Sequence, residues 1–347
     1  MEKKLYTITK HGLNRIVSGL IADEITVLGP VSENNGFVFR KIEKPEEIRL
    51  DYDRSYFSPI KEYLLPSREK LLDFDGKEYH SNLESEFTVL FGVHPYDIKA
   101  MEILDALYLN GQHVDPNYWV RRGNMILVGL DVTNPAKGSF SASADTHTIE
   151  TGFDLILTDI GNDLFVAEVG TRTGERLLLE FAYGEFRKAR KNEILKRTRA
   201  RAETAKKYPA TLNSAFEKLA ELLETEAGKA WLIEAAKICK ECGNCTKVCP
   251  TCVCYTKHHC PHLDGTGEVI RERSSCLFED SAKCGGGHNF RPTGESRIKN
   301  RLLDKVKFIS QEYGIKGCVG CGRCEVVCPF NLSGIASIFN ALTQEEK

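Results

Sequence analysis

The sequence predicts an α+β protein made of three successive parts. Residues 1–185 alternate short apolar segments with helix-like patterns, which is typical of an α/β domain. Residues 186–236 are rich in charge and place apolar residues at helical spacing, which indicates a helical connector. Residues 237–347 hold all thirteen cysteines, so the third part is expected to be organised around those side chains.

The first part supplies most of the predicted strands. Those expected from short apolar runs are Ile25–Leu28, Gly36–Phe39, Phe87–Val93 and Met125–Val132. A hairpin is expected from Leu155–Thr158 and Leu164–Val169, with its turn at residues 161–163. A helix is predicted at Asp97–Leu109, because its apolar residues recur on one face.

The connector carries a dense run of basic residues. A single acid, Glu193, accompanies these side chains: Arg187, Lys188, Arg190, Lys191, Lys196, Arg197, Arg199 and Arg201. The run is interpreted as a solvated helix face or as a docking surface for an acidic partner subunit. No nucleic acid is expected, because stacking aromatic residues do not interleave with the charges and the net charge is −2. A second helix is predicted near Leu212–Leu223.

Eight of the cysteines form one motif twice. The copies are Cys239-x-x-Cys242-x-x-Cys245-x-x-x-Cys249-Pro250 and Cys318-x-x-Cys321-x-x-Cys324-x-x-x-Cys328-Pro329. In such runs three cysteines bind one [4Fe–4S] cube and the fourth binds the other cube. Two [4Fe–4S] clusters are therefore predicted. Cluster I is assigned to Cys239, Cys242, Cys245 and Cys328, and cluster II to Cys318, Cys321, Cys324 and Cys249.

These clusters define the predicted architecture of the third part. It is expected to be a helical, two-cluster ferredoxin-type domain with a long insertion, in which Gly294–Tyr313 forms a helix. Gly243, Gly320 and Gly322 are expected to let backbone N–H groups approach the cluster sulfides. The predicted function is the transfer of single electrons.

Other uses of the cysteines are disfavoured. A zinc site usually draws its four ligands from two separated pairs, and a disulfide framework is typical of small secreted domains. The N-terminus lacks the continuous apolar segment of a signal peptide, and no apolar run is long enough to span a membrane. A reducing, cytoplasmic location is expected, with no membrane contact.

Several segments resemble a known family. In the third part they are Cys239–Cys254 (CKECGNCTKVCPTCVC), Arg273-Ser-Ser-Cys276, Gly286-Gly-His-Asn-Phe-Arg291 and the final CVGCGRCEVVCP. In the first part they are Pro66-Ser-Arg-Glu69, Phe91-Gly-Val-His-Pro-Tyr-Asp97 and Gly152–Asp159. In this order they resemble the iron–sulfur beta subunit of cytoplasmic sulfhydrogenases and the corresponding iron–sulfur subunit of anaerobic sulfite reductases.

The resemblance implies an electron-transfer subunit that is not catalytic alone. Its expected partners are a flavin subunit carrying FAD that exchanges hydride with NAD(P), and a hydrogenase, sulfite reductase or heterodisulfide reductase. No nucleotide-binding glycine motif or nucleophile elbow occurs in the chain itself. Two alternatives remain: a reductase with a third, substrate-facing cluster that acts on sulfur or a disulfide, and an interaction module with structural clusters.

The resemblance also bears on the residues outside the motif. Relatives carry cysteine in place of Tyr96, Ser139 and Ser141, so the ligands of a cluster in the first part are missing. Five cysteines remain unassigned: Cys252, Cys254, Cys260, Cys276 and Cys284. A third metal site is one hypothesis, built on Cys252, Cys254 and Cys276, which match cysteines of relatives. The alternative is that the five are thiols packed as small hydrophobic side chains.

Two sets of polar residues in the insertion complete the expectations. The histidines are predicted to be loop surface in preference to metal ligands, and they are His258, His259, His262 and His288. The arginines are predicted to balance the negative charge of the clusters, and they are Arg271, Arg273, Arg291 and Arg297.

Overall fold

A computed structural model describes residues 3–83, 85–111 and 113–345. Its strands β1–β12 are Lys4–Thr9, Thr26–Glu33, Gly36–Lys41, Arg68–Phe74, Tyr79–Ser81, Thr88–Val93, Met125–Leu130, Leu155–Asp159, Leu164–Val169, Phe186–Lys188, Tyr255–Pro261 and Gly267–Arg273. Its helices α1–α13 are Lys10–Ala22, Pro59–Leu64, Pro95–Leu109, Pro116–Gly123, Arg172–Phe181, Lys191–Lys206, Leu219–Leu222, Glu226–Ile238, Asn244–Lys247, Gly294–Leu303, Ile309–Tyr313, Arg323–Val327 and Ile335–Glu345. The predicted α+β class is confirmed.

The first part is built on an eight-stranded mixed sheet in the order β10-β1-β9-β8-β7-β6-β2-β3. Strands β2, β6, β7 and β8 run parallel, and the remaining neighbours pair antiparallel. Every strand predicted in this part is confirmed, including the β8–β9 hairpin, whereas β1 was not predicted. Asn162 and Asp163 adopt positive φ in the hairpin turn, as a tight turn of this kind requires.

Helices cover both faces of this sheet, so its central strands are apolar on both sides. Val89 and Phe91 of β6 belong to the core under α1 and α5. Leu90 and Val93 of the same strand belong to the core under α2, α3 and α4. The alternation from Val89 to Phe91 follows from the two-residue period of a strand, and the register shift between Phe91 and Val93 places Val93 on the same face as Leu90.

The connector folds back onto the first part. Arg187, Arg197 and Arg201 form ion pairs with Glu193, Glu168 and Asp131, respectively. Six of the predicted basic residues are exposed, and they are Arg187, Lys188, Arg190, Lys191, Lys196 and Arg199. Hence part of the basic run holds α6 against the sheet, and the rest forms a solvated face.

The helix predicted at Leu212–Leu223 is wrong in extent. A 3₁₀ turn at Phe216–Lys218 precedes the single turn of α7. Phe216, Leu219 and Leu222 are nevertheless buried in the core of the third part. Their apolar spacing predicted burial correctly, although the segment bends before it becomes helical.

The third part combines helices with a second sheet. The predicted helix Gly294–Tyr313 is confirmed as α10 and α11 joined by a π-helical segment, Asp304–Phe308. The insertion contributes β11 and β12 to a four-stranded sheet, where β12 pairs antiparallel with β4 of the first part. The first and third parts therefore share a sheet, and the three-part division remains a prediction.

Two of the four histidines are consequently not in a loop. His258 and His259 lie on β11, whose side chains are almost all exposed. The strand was missed because an exposed edge strand has no apolar side to pack and therefore no alternating pattern. His262 and His288 do lie in turns, as predicted.

Candidate iron–sulfur site

Each cysteine run is a loop that leads into a short helix. Gly243 and Gly322 precede α9 and α12, and both adopt the left-handed conformation that glycine tolerates without strain. The two helices pack against each other. As a result, the two runs face one another.

The runs bring together cysteines from opposite copies. Burial raises the pKa of the Cys239 thiol, and Cys328 contributes most among the neighbouring cysteines. Burial likewise raises the pKa of the Cys318 thiol, and Cys249 contributes most among its neighbours. The fourth cysteine of each run thus lies beside the first cysteine of the other, which is the neighbourhood that crossed ligation requires.

The sulfur atoms also receive backbone hydrogen bonds. The N–H groups of Glu241, Gly320 and Leu332 donate to Sγ of Cys239, Cys318 and Cys328 at 3.4, 3.5 and 3.4 Å. Such bonds stabilise a thiolate and influence the potential of a bound cluster. Together with the thiol set, they fit iron–sulfur ligation.

The glycines of the second run have a further role that was not predicted. A Cβ atom on Gly320 would lie 2.8 Å from the backbone nitrogen of Ser141, and one on Gly322 would lie 2.5 Å from the carbonyl carbon of Gly138. The absence of side chains therefore lets residues 138–141 of the first part lie directly on the second run.

Hydrogen bonds hold that segment in place. The hydroxyl groups of Ser139 and Ser141 donate to the carbonyl oxygens of Gly320 and Val319, each at 3.0 Å. The backbone N–H of Phe140 donates to the same Gly320 oxygen at 2.8 Å. Ser139 and Ser141 thus bind the second run through their hydroxyl groups.

A buried ion pair also joins the first part to the second run. Arg323, which lies between Cys321 and Cys324, binds both carboxylate oxygens of Asp97 at 2.8 and 2.7 Å. Both side chains are buried, and the guanidinium group stacks over the Tyr96 ring. Asp97 is the last residue of the Phe91–Asp97 segment, so this sequence feature has a structural role.

The predicted charge-balancing arginines are largely engaged elsewhere. Arg271 pairs with Glu69 and Asp115, Arg273 with Glu62, and Arg297 with Glu241. The carboxylates compensate their charge, so the prediction is wrong for these three. Arg291 donates to the Asn300 side chain and has no carboxylate partner among the described residues.

Other buried cations, which were not predicted, lie near the cysteines. Lys61 of α2 donates to the carbonyl oxygen of Cys249 at 2.8 Å, and burial lowers its pKa to about 8. Lys305 binds the carbonyl and hydroxyl oxygens of Thr251, both at 3.1 Å. Arg301 lies near cysteines of both runs. In the sequence, the four-residue spacing of Arg297, Arg301 and Lys305 could have indicated that these three cations share one face of a helix.

The three cysteines of the predicted third site form two separate contacts. Cys252 neighbours Cys249, and their interaction lowers the pKa of Cys249 and raises that of Cys252. Cys254 neighbours Cys276, and their interaction lowers the pKa of Cys254 to about 6 and raises that of Cys276. All thirteen cysteines are free thiols, and Cys260 and Cys284 join neither pair.

No single-ion site is assembled in the part of the chain that the structure describes. Within it, no three His, Cys, Asp or Glu side chains are arranged to hold a metal ion. Ligands of one ion must converge on a point, whereas the thiolates of a cubane bind four separate iron corners. Among the described residues, the result therefore disfavours a zinc site or a histidine-based site in the insertion, and it does not bear on a [4Fe–4S] cluster.

Comparisons with known proteins agree with this chemistry. Residues 238–332 match the family model of a 4Fe-4S dicluster domain. Over 312 residues, the chain is 33% identical to sulfhydrogenase 2 subunit beta of Pyrococcus furiosus, covering 89% of this chain and 90% of that relative. The chain belongs to the family of this iron–sulfur subunit. The predicted resemblance is thereby confirmed, as is the general function of an iron–sulfur electron-transfer subunit.

The relative is named as a subunit, so at least one member of this family works as part of a larger assembly. Within the described ranges of this family member, every helix is too short or too polar to cross a bilayer.

Proposed function

We propose that this chain carries single electrons through two [4Fe–4S] clusters with crossed ligand sets. Cluster I would be held by Cys239, Cys242, Cys245 and Cys328, and cluster II by Cys318, Cys321, Cys324 and Cys249. When bound, each cluster exchanges one electron. The observation that carries the proposal is the packing of α9 against α12, which brings Cys328 near Cys239 and Cys249 near Cys318.

The chain's own residues would position and shield the clusters. Backbone N–H groups stabilise the thiolates, and the segment 138–141 excludes water from the second run. Cys242 of the first run is exposed, whereas Cys321 is buried. The first run is therefore the better placed of the two to exchange electrons with another protein.

The proposed partners are a subunit with FAD that exchanges hydride with NAD(P), and a catalytic subunit. The candidate catalytic subunits are a hydrogenase, a sulfite reductase or a heterodisulfide reductase, within the cytoplasm. Support comes from the relative's name, which places that protein in a sulfhydrogenase. The exposed basic face of α6 is a candidate docking surface for an acidic partner.

Paired cysteine substitutions test the crossed ligand sets. Replacing Cys239 and Cys328 with serine removes two ligands from one cluster if the sets are crossed, so about four irons per chain should remain. Replacing Cys239 and Cys249 damages both clusters, so almost no iron should remain. Uncrossed sets would give the reverse pattern.

The measurement is iron and sulfide content with EPR, on protein purified without oxygen. Cys260→Ala is the matched control, because Cys260 lies outside both motifs and should leave about eight irons per chain. Zinc without iron in the unmodified chain, after oxygen damage and metal replacement are excluded, would overturn the two-cluster proposal itself.

The second candidate is a reductase with a third cluster that acts on sulfur or a disulfide. The contact between Cys254 and Cys276 favours it, because two of the three predicted ligands already meet. About twelve irons per chain, falling to about eight in Cys276→Ala, would support the third site. About eight irons in both proteins would exclude it.

A further inference from the structure

Three buried cations follow one another along a single helical segment. Arg297 and Arg301 lie on α10, and Lys305 lies on the π-helical segment that continues it. Their exposed fractions are 4, 4 and 1%. Residues four apart occupy the same face of a helix, so the three charges form a row on the buried side. Burying a charge is costly unless an opposite charge or hydrogen bonds compensate it.

Two of the three cations have a carboxylate partner. Arg297 pairs with Glu241 and also donates to the carbonyl oxygens of Arg291 and Pro292. Lys305 lies 2.9 Å from a carboxylate oxygen of Asp304. Both charges are thus compensated by acids or backbone oxygens of the chain.

Arg301 differs from both. Its hydrogen bond joins Nη2 to the carbonyl oxygen of Ser333 at 3.1 Å. Its Nε is buried and has no acceptor, a feature that it shares with Arg297, but no acid pairs with Arg301 among the residues that the structure describes. A buried N–H without an acceptor is unusual, because leaving it unpaired costs about 1–3 kcal/mol.

The negative groups around Arg301 are cysteines of both runs. Cys245 and Cys324 make the largest favourable contributions to its charged form and raise its pKa. Ser333, which accepts its hydrogen bond, donates in turn to the carbonyl oxygen of Cys324. Arg301 therefore lies between one predicted ligand of cluster I and one of cluster II.

We propose that Arg301 is the positioning residue that compensates the charge of both clusters and supplies a hydrogen-bond donor to their sulfur atoms. This inference rests on the proposed two-cluster function. Each cluster gains one negative charge on reduction, and a nearby buried cation stabilises the reduced form. Arg301 consequently raises the reduction potentials of both clusters, whereas Arg297 acts weakly because Glu241 neutralises it.

The test compares Arg301→Gln with Arg297→Gln. Both variants remove one buried guanidinium group from the same helix face. Only Arg297→Gln leaves a carboxylate, that of Glu241, without its ion-pair partner. Anaerobic redox titrations followed by EPR give the potential of each cluster. We expect both potentials to fall in Arg301→Gln, and the fall to be larger than in Arg297→Gln.

Iron content separates failure of this inference from failure of the proposed function. An unmodified chain without iron–sulfur clusters refutes the proposed function. A fully loaded Arg301→Gln protein with unchanged potentials, or with a shift of one cluster only, overturns the inference. If Arg301→Gln loses its iron, Arg301→Lys decides: it keeps the positive charge, so both clusters should be retained with potentials close to those of the unmodified chain, and a loss of iron or a large fall in either potential overturns the proposal.

Discussion

The two cysteine runs have the same spacing but different surroundings. The first run exposes Cys242, and its helix α9 packs near Ser275 and Phe278 of the insertion. In the second run Cys321, which corresponds to Cys242, is buried, residues 138–141 of the first part lie on the loop, and the Asp97–Arg323 ion pair holds it. Identical spacing thus gives an exposed second cysteine in one run and a buried one in the other.

This difference shows how a repeated motif acquires two roles. A chain that passes electrons between partners needs ends that are not equivalent. The two runs share their cysteine spacing but differ between the cysteines, because Gly320 and Arg323 of the second run correspond to Glu241 and Asn244 of the first. The asymmetry therefore comes from these residues together with the segments that pack on them. The difference between the two runs is tested most directly by removing the contacts that cover the second run.

The largest effect is expected from Arg323→Met. The substitution leaves Asp97 as an unpaired charge in the interior, which should reduce the free energy of unfolding by about 3–5 kcal/mol. Arg122→Met is the matched control, because the Arg122–Asp105 pair is partly exposed and should cost at most about 1 kcal/mol. Anaerobic urea unfolding followed by circular dichroism measures both, and equal losses would contradict the role assigned to the buried pair.

A smaller effect is expected from Gly320→Ala. Gly320 and Gly184 both adopt positive φ, so alanine costs about 1–2 kcal/mol of strain at either position. A Cβ on Gly320 also collides with residues 140–141, which adds about 1–3 kcal/mol, whereas Gly184 faces open space.

The same unfolding experiment compares the two alanine variants, and iron content is measured in parallel. Gly320→Ala should lose iron from the second run's cluster in preference to the first. Similar stability and iron content in both variants would mean that the close approach of residues 138–141 is unimportant.

The smallest effect is expected from Ser141→Ala. The lost hydrogen bond to the carbonyl oxygen of Val319 should cost about 1 kcal/mol or less, because that oxygen still accepts from Thr146 at 2.6 Å. Ser141→Ala combined with Thr146→Val removes both donors. The pair should therefore cost more than the sum of the single variants, and simple additivity in urea unfolding would rule out a shared acceptor.

The sheet of the first part was predictable because its strands are apolar and separated by turn-forming residues. Other strands were harder: β1 was not predicted although it lies inside the sheet, and the edge strand β11 was taken for a loop because the polar residues around His258 and His259 have no strand periodicity. The pairing of β12 with β4 joins residues about two hundred positions apart, and no local pattern encodes such a contact.

The charge balance near the cysteines shows a similar limit. Arg271 and Arg273 were natural candidates because they lie close in sequence to Cys276. In the structure, carboxylates from the first part neutralise them, and the buried cations near the cysteines include Lys61, Arg301 and Lys305. Composition identifies charged residues but not their partners, since pairing depends on contacts between distant segments.

The sequence alone determined the chemistry of this protein. The spacing of eight cysteines indicates that they are iron–sulfur ligands, and the surrounding segments identify the family. The tertiary structure decided which run is exposed, which arginine is left without a carboxylate, and which extra cysteines meet. These properties depend on burial and on contacts between the first and third parts, and they arise only when the two are packed together.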